Sequence, residues 1–223
     1  MEPCESVGTD AEPGRPMPLE PESVDARSEE EEWVRRCRAG DTTAYAPLVR
    51  RYQDRIFNVC WRMCGNRTDA EDLAQEAFVR ALQAIGRFDA RSRFYTWLFR
   101  IAVNLVISDR RKRTRARLGS SERDRANREA EGRPAADPQD RLASRDSPPD
   151  VRAADRERHA RVLEALGALD EVHRTVVVLR DVESFGYDEI AEILEVPVGT
   201  VKSRLHRARL ALREELTPLF GGG

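Results

Sequence analysis

Lys202, Ser203, His206 and Arg207 share one side of a run, PVGTVKSRLHRARLAL (197–212), that contains no acidic residue. At 100° per residue, Val201, Leu205, Ala208 and Leu212 fall together on the opposite side. Such a helix buries an apolar stripe and presents donors and cations outward, a chemistry suited to base edges and phosphates. Just upstream, YDEIAEILEV (187–196) places Ile190, Ile193 and Leu194 at helical spacing, and Glu195 to Pro197 supply a turn. A short helix, a tight turn and a second helix with a polar outward face form a helix-turn-helix pattern. A plain helical hairpin with a solvated basic face fits the same residues.

Further groups of side chains lie earlier in the chain. TDAEDLAQEAFVRALQAI (68–85) carries Asp72, Gln75 and Glu76 on a polar face beside a stripe of Leu73, Ala77, Phe78, Ala81, Leu82 and Ile85. Acids near a helix N-terminus are favoured by its dipole, which accounts for Asp69, Glu71 and Asp72 better than for Gln75 and Glu76. Thr68 and Glu71 are spaced as a capping box. From Arg93 to Arg100, two arginines flank Phe94, Tyr95, Trp97 and Phe99. Rings beside cations can stack on unpaired bases and hold phosphates, although most of these rings, Trp97 included, also suit a core. DRRKRTRAR (109–117) reads as a phosphate-binding stripe or a nucleus-type basic patch, and the first reading is preferred. Cys60 and Cys64 stand at i, i+4 with no nearby histidine to complete a zinc site, so no metal, cofactor or catalytic constellation is expected.

Charge and composition organise these elements. The 223 residues hold 38 Lys+Arg and 40 Asp+Glu, but unevenly: residues 1–32 have 2 basic and 11 acidic groups, residues 33–118 have 19 and 8. The tail is rich in Pro and Glu and poor in large apolar residues, so disorder is expected over 1–29. The stretch 118–156 has four prolines and two large aliphatics, Leu118 and Leu142, and reads as a flexible linker. Between and after them lie two all-helical units, 30–117 and 157–218. The first reads as a short helix ended by Gly40, a helix over 42–66 stopped at Gly65, the 68–85 helix, and a long helix over 94–117. In the second, RTVVVLRDV is β-branched, but the helical context overrides a strand. No apolar run reaches 18 residues and the N-terminus has no secretory pattern, so a cytoplasmic location is expected. Four cysteines without a framework agree with a reducing compartment.

In this order, DAEDLAQEAFVRAL, FYTWLFRIAVN and PVGTVKSRLHRAR resemble the extracytoplasmic-function (ECF) group of the sigma-70 family of bacterial RNA polymerase sigma factors. The resemblance covers about 30–117 and 157–217. It implies a first domain of sigma region 2, docking on core polymerase and melting the −10 element, and a second of region 4, reading the −35 element. Asp72, Gln75 and Glu76 match the contacts to the clamp helices of the largest catalytic subunit. The loop FDARSRF and the following helix match the part that opens the −10 DNA, with Phe88, Asp89, Ser92 and Asn104 near an unstacked base and Arg110, Arg111, Lys112 and Arg113 on phosphates. Lys202, Ser203, His206 and Arg207 match the base-facing positions at −35, with Thr200 and Arg204 on phosphates. An anti-sigma factor, often membrane-bound, is a further implied partner, and stress response the implied setting. A regulator that binds DNA unaided through its helix-turn-helix, or an RNA-binding protein using the basic first unit, is the alternative reading of the residues.

Overall fold

Helix α1, Val24–Arg38, starts inside the stretch expected to be disordered. Its Trp33, Val34 and Cys37 pack on the core, and Arg27–Glu31 and Arg35–Glu32 pair along its exposed side. Buried Glu30 accepts the Tyr52 hydroxyl, which gives the acidic run an inward anchor that hydrophobicity alone does not reveal. The computed structural model describes residues 24–119 and 161–220, with side chains over 27–116 and 161–217. The rest of the acidic tail, and the linker apart from Leu118 and Gly119 at the end of α4, lie outside these described residues.

A left-handed Gly40 (φ 97°) closes α1, and Asp41 caps a 3-10 turn, Thr42–Ala44, by accepting from the Thr43 amide at 3.0 Å. Helix α2, Tyr45–Cys64, ends at Gly65 in the left-handed region (φ 77°), where a residue without Cβ is favoured. Helix α3, Arg67–Ala84, is capped by Asn66, whose side chain accepts from the Asp69 amide at 3.0 Å, not by the Thr68–Glu71 box. The reversal at Gly65 leaves Asn66 as the first extended residue, so the cap falls there. The buried stripe of α3 is Ala70, Ala74, Ala77 and Ala81. These small residues let α3 lie close against α2 and α4, Phe94–Gly119. Leu82, assigned above to the stripe, is instead 37% exposed.

The second unit contains helix α5 through residues 161–168, α6 Glu171–Val177, α7 Tyr187–Leu194 and α8 Val198–Phe220. RTVVVLRDV is helical, as its context required, but passes into a π turn at Val178–Val182. Then Ser184 takes φ 62° and Glu195, between α7 and α8, takes φ 53°. Pro197 sits just before α8, where its carbonyl accepts from the Thr200 and Val201 amides.

The two units pack on each other. Arg174, buried on α6, donates to the carbonyls of Leu166, Gly167 and Leu169 in its own unit and to Met63 in the first at 2.9 Å. Burial and the nearby Arg110 lower its pKa to about 10, which leaves it cationic at neutral pH. Methionine at 174 would match the bulk but leave these carbonyls without a donor. Arg174→Met should lower unfolding free energy by at least about 3 kcal/mol. Arg174→Lys should recover only part, since an ammonium cannot reproduce the planar fork. Urea denaturation followed by circular dichroism measures both.

Candidate nucleic-acid and polymerase interface

Three surfaces carry the candidate residues. On α3, Asp72, Gln75 and Glu76 are exposed at i, i+3 and i+4, opposite the alanine stripe. Val79 (48% exposed) and Leu82 (37%) continue the same face. Sequence periodicity alone missed this pair because aliphatics on a helix default to the core. The result is a mixed patch of acceptors and apolar side chains, the composition of a protein-docking surface. Glu76 pairs with Arg80 one turn on, at 2.7 Å.

The second surface is the loop before α4 with the outward stripe of that helix. Phe88 is not part of it: at 4% exposure it belongs to the core, between Phe94 (5.9 Å between centroids) and Trp97 (5.1 Å). Its role is to anchor the loop. Asp89 stays exposed, accepts from the Arg91 amide at 3.2 Å and pairs with its guanidinium. Trp97 is half-buried and forms a wall of a cavity of about 390 Å³ with Arg87, Asp89, Arg91, Ser92 and Arg100. Glu192 of the second unit also lines this cavity. Asn104 is exposed one turn beyond Arg100, so its amide is free to face a ligand. Trp97, Arg100, Asn104 and Arg111 share a stripe at i, i+3, i+7 and i+14.

The basic run divides. Arg110 donates to the Met63 carbonyl at 2.8 Å, at the C-terminus of α2 where the helix dipole favours a cation. Arg113 is bound to Asp69 and Asp109. Both guanidinium groups thus have partners within the chain in this conformation, while Arg113 stays about half exposed. Local sequence offers only the Asp109 partner, four residues away; Met63 and Asp69 come from α2 and α3. Arg111 is exposed and 3.9 Å from Glu171, and Lys112 is exposed.

The third surface is α8. Val201, Leu205 and Ala208 are buried, while Lys202, Ser203, His206 and Arg207 are exposed on the far side, as periodicity required. Thr200 and Arg204 are half-buried at the margins. The Lys202 ammonium lies 5.6 Å over the Tyr187 ring, and Arg209 pairs with Asp181 of the π turn. Both contacts fix α8 relative to the elements beside it.

No group of metal-ligating side chains occurs among the described residues, and none of their helices is long and apolar enough to cross a membrane. The thiols are held neutral: burial pushes Cys60 up to about 12 and raises Cys37 and Cys64 as well. A neutral buried thiol is a poor nucleophile. In a Cys4→Ser background, buried Cys37 and Cys60 should react with a thiol-specific disulfide reagent only at the unfolding rate of the native protein, leaving half-buried Cys64 as at most one slow site, and 6 M guanidinium should release three fast-reacting thiols. Stoichiometric labelling under native conditions would overturn this.

The chain matches the family models for Sigma-70 region 2 over residues 48–116 and Sigma-70 region 4 over 159–212. It is 37% identical to the ECF RNA polymerase sigma factor SigW of Bacillus subtilis, covering 83% of this chain and 96% of that protein. The RNA polymerase sigma-H factor of Pseudomonas aeruginosa is 36% identical over 87% of this chain and 97% of its own length. The ECF RNA polymerase sigma-E factor of Escherichia coli is 32% identical over 84% and 94%. The fold is similar to that of CnrH in complex with the cytosolic domain of CnrY, with a TM-score of 0.60 and 25% identity over 85% of this chain and 98% of that one. It is also similar to RpoE bound to the anti-sigma factor NepR from Bartonella quintana, at a TM-score of 0.58 and 23% identity over 78% and 96%.

Proposed function

Because the chain belongs to the sigma-70 family, in its extracytoplasmic-function group, we propose that its three exposed surfaces divide the work of promoter-directed initiation among polymerase docking, −10 opening and −35 reading. The observation that carries this reading is the α8 face, where exposed donors and cations lie opposite a fully buried stripe in a helix-turn-helix. Residues 30–117 and 157–218 act as the region 2 and region 4 domains.

Asp72, Gln75 and Glu76 dock on the clamp helices of the largest polymerase subunit. Val79 and Leu82 add apolar area beside them. Acceptors on a rigid helix fix orientation, and the aliphatic pair supplies the desolvated centre of the contact. At the −10 element, Asp89, Ser92 and Asn104 surround one unstacked base beside the Trp97 wall. An amide such as Asn104 offers both a donor and an acceptor to a base edge. Arg111 and Lys112 take phosphates, while Arg110 and Arg113 hold α4 in position. On α8, Lys202, Ser203, His206 and Arg207 enter a major groove at −35, flanked by Thr200 and Arg204 on the backbone. No chemistry is catalysed by this chain; it is a regulatory initiation factor working on the polymerase. Its working compartment is the cytoplasm, and an anti-sigma factor is its inhibitory partner; RpoE, similar in fold, was solved bound to an anti-sigma factor.

Charge reversal at the docking face, Asp72→Lys with Glu76→Lys, should weaken core-polymerase binding at least about 100-fold, because a mispaired charge in a desolvated contact costs several kcal/mol. Far-ultraviolet circular dichroism should be unchanged, since both residues face solvent. Unaltered affinity would remove the docking assignment.

Promoter selection from a library randomised at −35, with core enzyme and single alanine variants at two salt concentrations, tests the reading as a whole. Arg207→Ala and His206→Ala should change the preferred motif, since a bidentate Arg–guanine contact is worth about 1–3 kcal/mol of discrimination. Arg204→Ala should weaken all sequences alike and flatten the salt slope by about one unit. An unchanged motif in every variant would reduce α8 to a phosphate clamp. If the protein binds DNA tightly but selects no start sites with core enzyme, it is a regulator of the unaided kind.

A further inference from the structure

A cleft of about 410 Å³ lies between α1 and the loop that leads into α4. Its walls are cationic: Arg27, Arg35 and Arg38 come from α1, Arg91 and Arg93 from the loop. The two carboxylates that share it, Glu30 and Glu31, are both engaged. Buried Glu30 accepts the Tyr52 hydroxyl, and Glu31 pairs with Arg27 at 3.3 Å. Arg35 pairs with Glu32 and Arg91 with Asp89, but these side chains stay largely exposed. Such pairs are weak and give way to a better-placed anion.

The floor of the cleft, Val34, Phe88 and Phe94, decides which kind of anion fits. Phe88 and Phe94 keep only 4% and 3% of their surface exposed. Neither offers a ring face on which a base could stack, as unpaired nucleic acid requires. An acidic peptide needs only apolar edges for its aliphatic side chains and guanidinium groups for its carboxylates.

The chain carries such a peptide beside the cleft. Residues 1–23 hold six acidic groups and one basic group. Their last part, PMPLEPE (16–22), sets Met17 and Leu19 among three prolines, carries Glu20 and Glu22, and stops two residues before α1 begins at Val24. Proline fixes φ, so less freedom is lost on docking. From Arg27 to Arg38, α1 rises about 16 Å. Seven residues of extended, proline-rich chain reach about 22 Å, so a reversal at Ser23 lays 16–22 along the whole cleft. A tether this short gives an effective concentration on the order of millimolar, at which even a weak contact is filled.

We propose that this cleft is a docking site for an acidic, proline-spaced peptide, and that its resident occupant is segment 16–22 of the same chain. Glu20 and Glu22 meet the guanidinium groups, and Met17 and Leu19 meet the apolar floor. Arg91 and Ser92 line both this cleft and the Trp97 cavity, so the docked segment withdraws Arg91 from a strand entering that cavity. This competition rests on the −10 assignment made above; the docking does not.

The test uses the full chain with a photoreactive side chain, Leu19→p-benzoylphenylalanine. Irradiation should crosslink it to α1 and to residues 88–94 of the same molecule. Glu20→Arg with Glu22→Arg should cut the yield at least fivefold, and adding Arg35→Glu with Arg38→Glu should restore it. If those α1 substitutions cost helicity, Arg91→Glu serves as the compensating change. Crosslinks elsewhere in the chain, a yield indifferent to charge reversal, or crosslinked dimers, which put a second copy's tail in the cleft, would each overturn the docking. Competition is read by anisotropy with the fluorescent non-template −10 strand of the promoter used in the −35 selection. Glu20→Gln with Glu22→Gln should bind it about fivefold tighter. Glu2→Gln with Glu5→Gln, the same change in charge outside the segment, should bind like wild type. Equal affinities for the two pairs overturn the competition. Asn104→Ala reads the −10 assignment alone: if it binds the strand like wild type, that assignment fails while the crosslinking result stands.

Discussion

The carbonyl of Met63, at the C-terminal end of α2, accepts from two guanidinium groups, Arg110 of α4 and Arg174 of α6. A helix C-terminus carries partial negative charge and unpaired carbonyls, so it attracts cations wherever the chain can bring them. Here that local demand joins three helices from both units at one point. Arg174 also closes the end of α5 through its remaining donors, so a single buried side chain orders the second unit internally and ties it to the first. The two like charges lie close together, and each guanidinium is compensated by carbonyl dipoles, with Glu171 and Asp170 nearby for Arg174.

Around this junction, packing is set by size. The alanine stripe of α3 permits close approach to α2 and α4, which turns Asp72, Gln75, Glu76, Val79 and Leu82 outward together. The rings of Phe88, Phe94 and Trp97 hold the loop before α4, so Asp89 and Ser92 are presented from a fixed base. On α8 the buried Val201, Leu205 and Ala208 orient the polar face, and Arg209–Asp181 steadies it. Each candidate surface is thus the reverse side of a packing decision.

Helix existence and the polar faces of α3 and α8 follow from sequence because each is a local property. The 3.6-residue repeat gives a side chain's angle about its own axis, and Gly40, Gly65 and the Glu195–Pro197 turn mark where helices end. A resemblance carried by three ordered motifs then attached polymerase and promoter chemistry to those faces. Boundaries are not local in this way: α1 begins within the acidic tail because Glu30 finds the Tyr52 hydroxyl, a contact between residues 22 positions apart.

The amino-acid sequence by itself determined an all-helical chain with two helical units, an outward cationic face on α8 and an outward polar face on α3. Only the tertiary structure decided that Arg110 and Arg113 are occupied internally while Arg111 and Lys112 face outward. It also decided that Phe88 is interior, that Leu82 is exposed, and that Phe185 fills a site in the other unit. The physical reason is common to all of these. Periodicity fixes the direction in which a side chain points, but its neighbour in that direction comes from elsewhere in the chain. Burial, pairing and charge compensation are properties of the neighbour as much as of the residue.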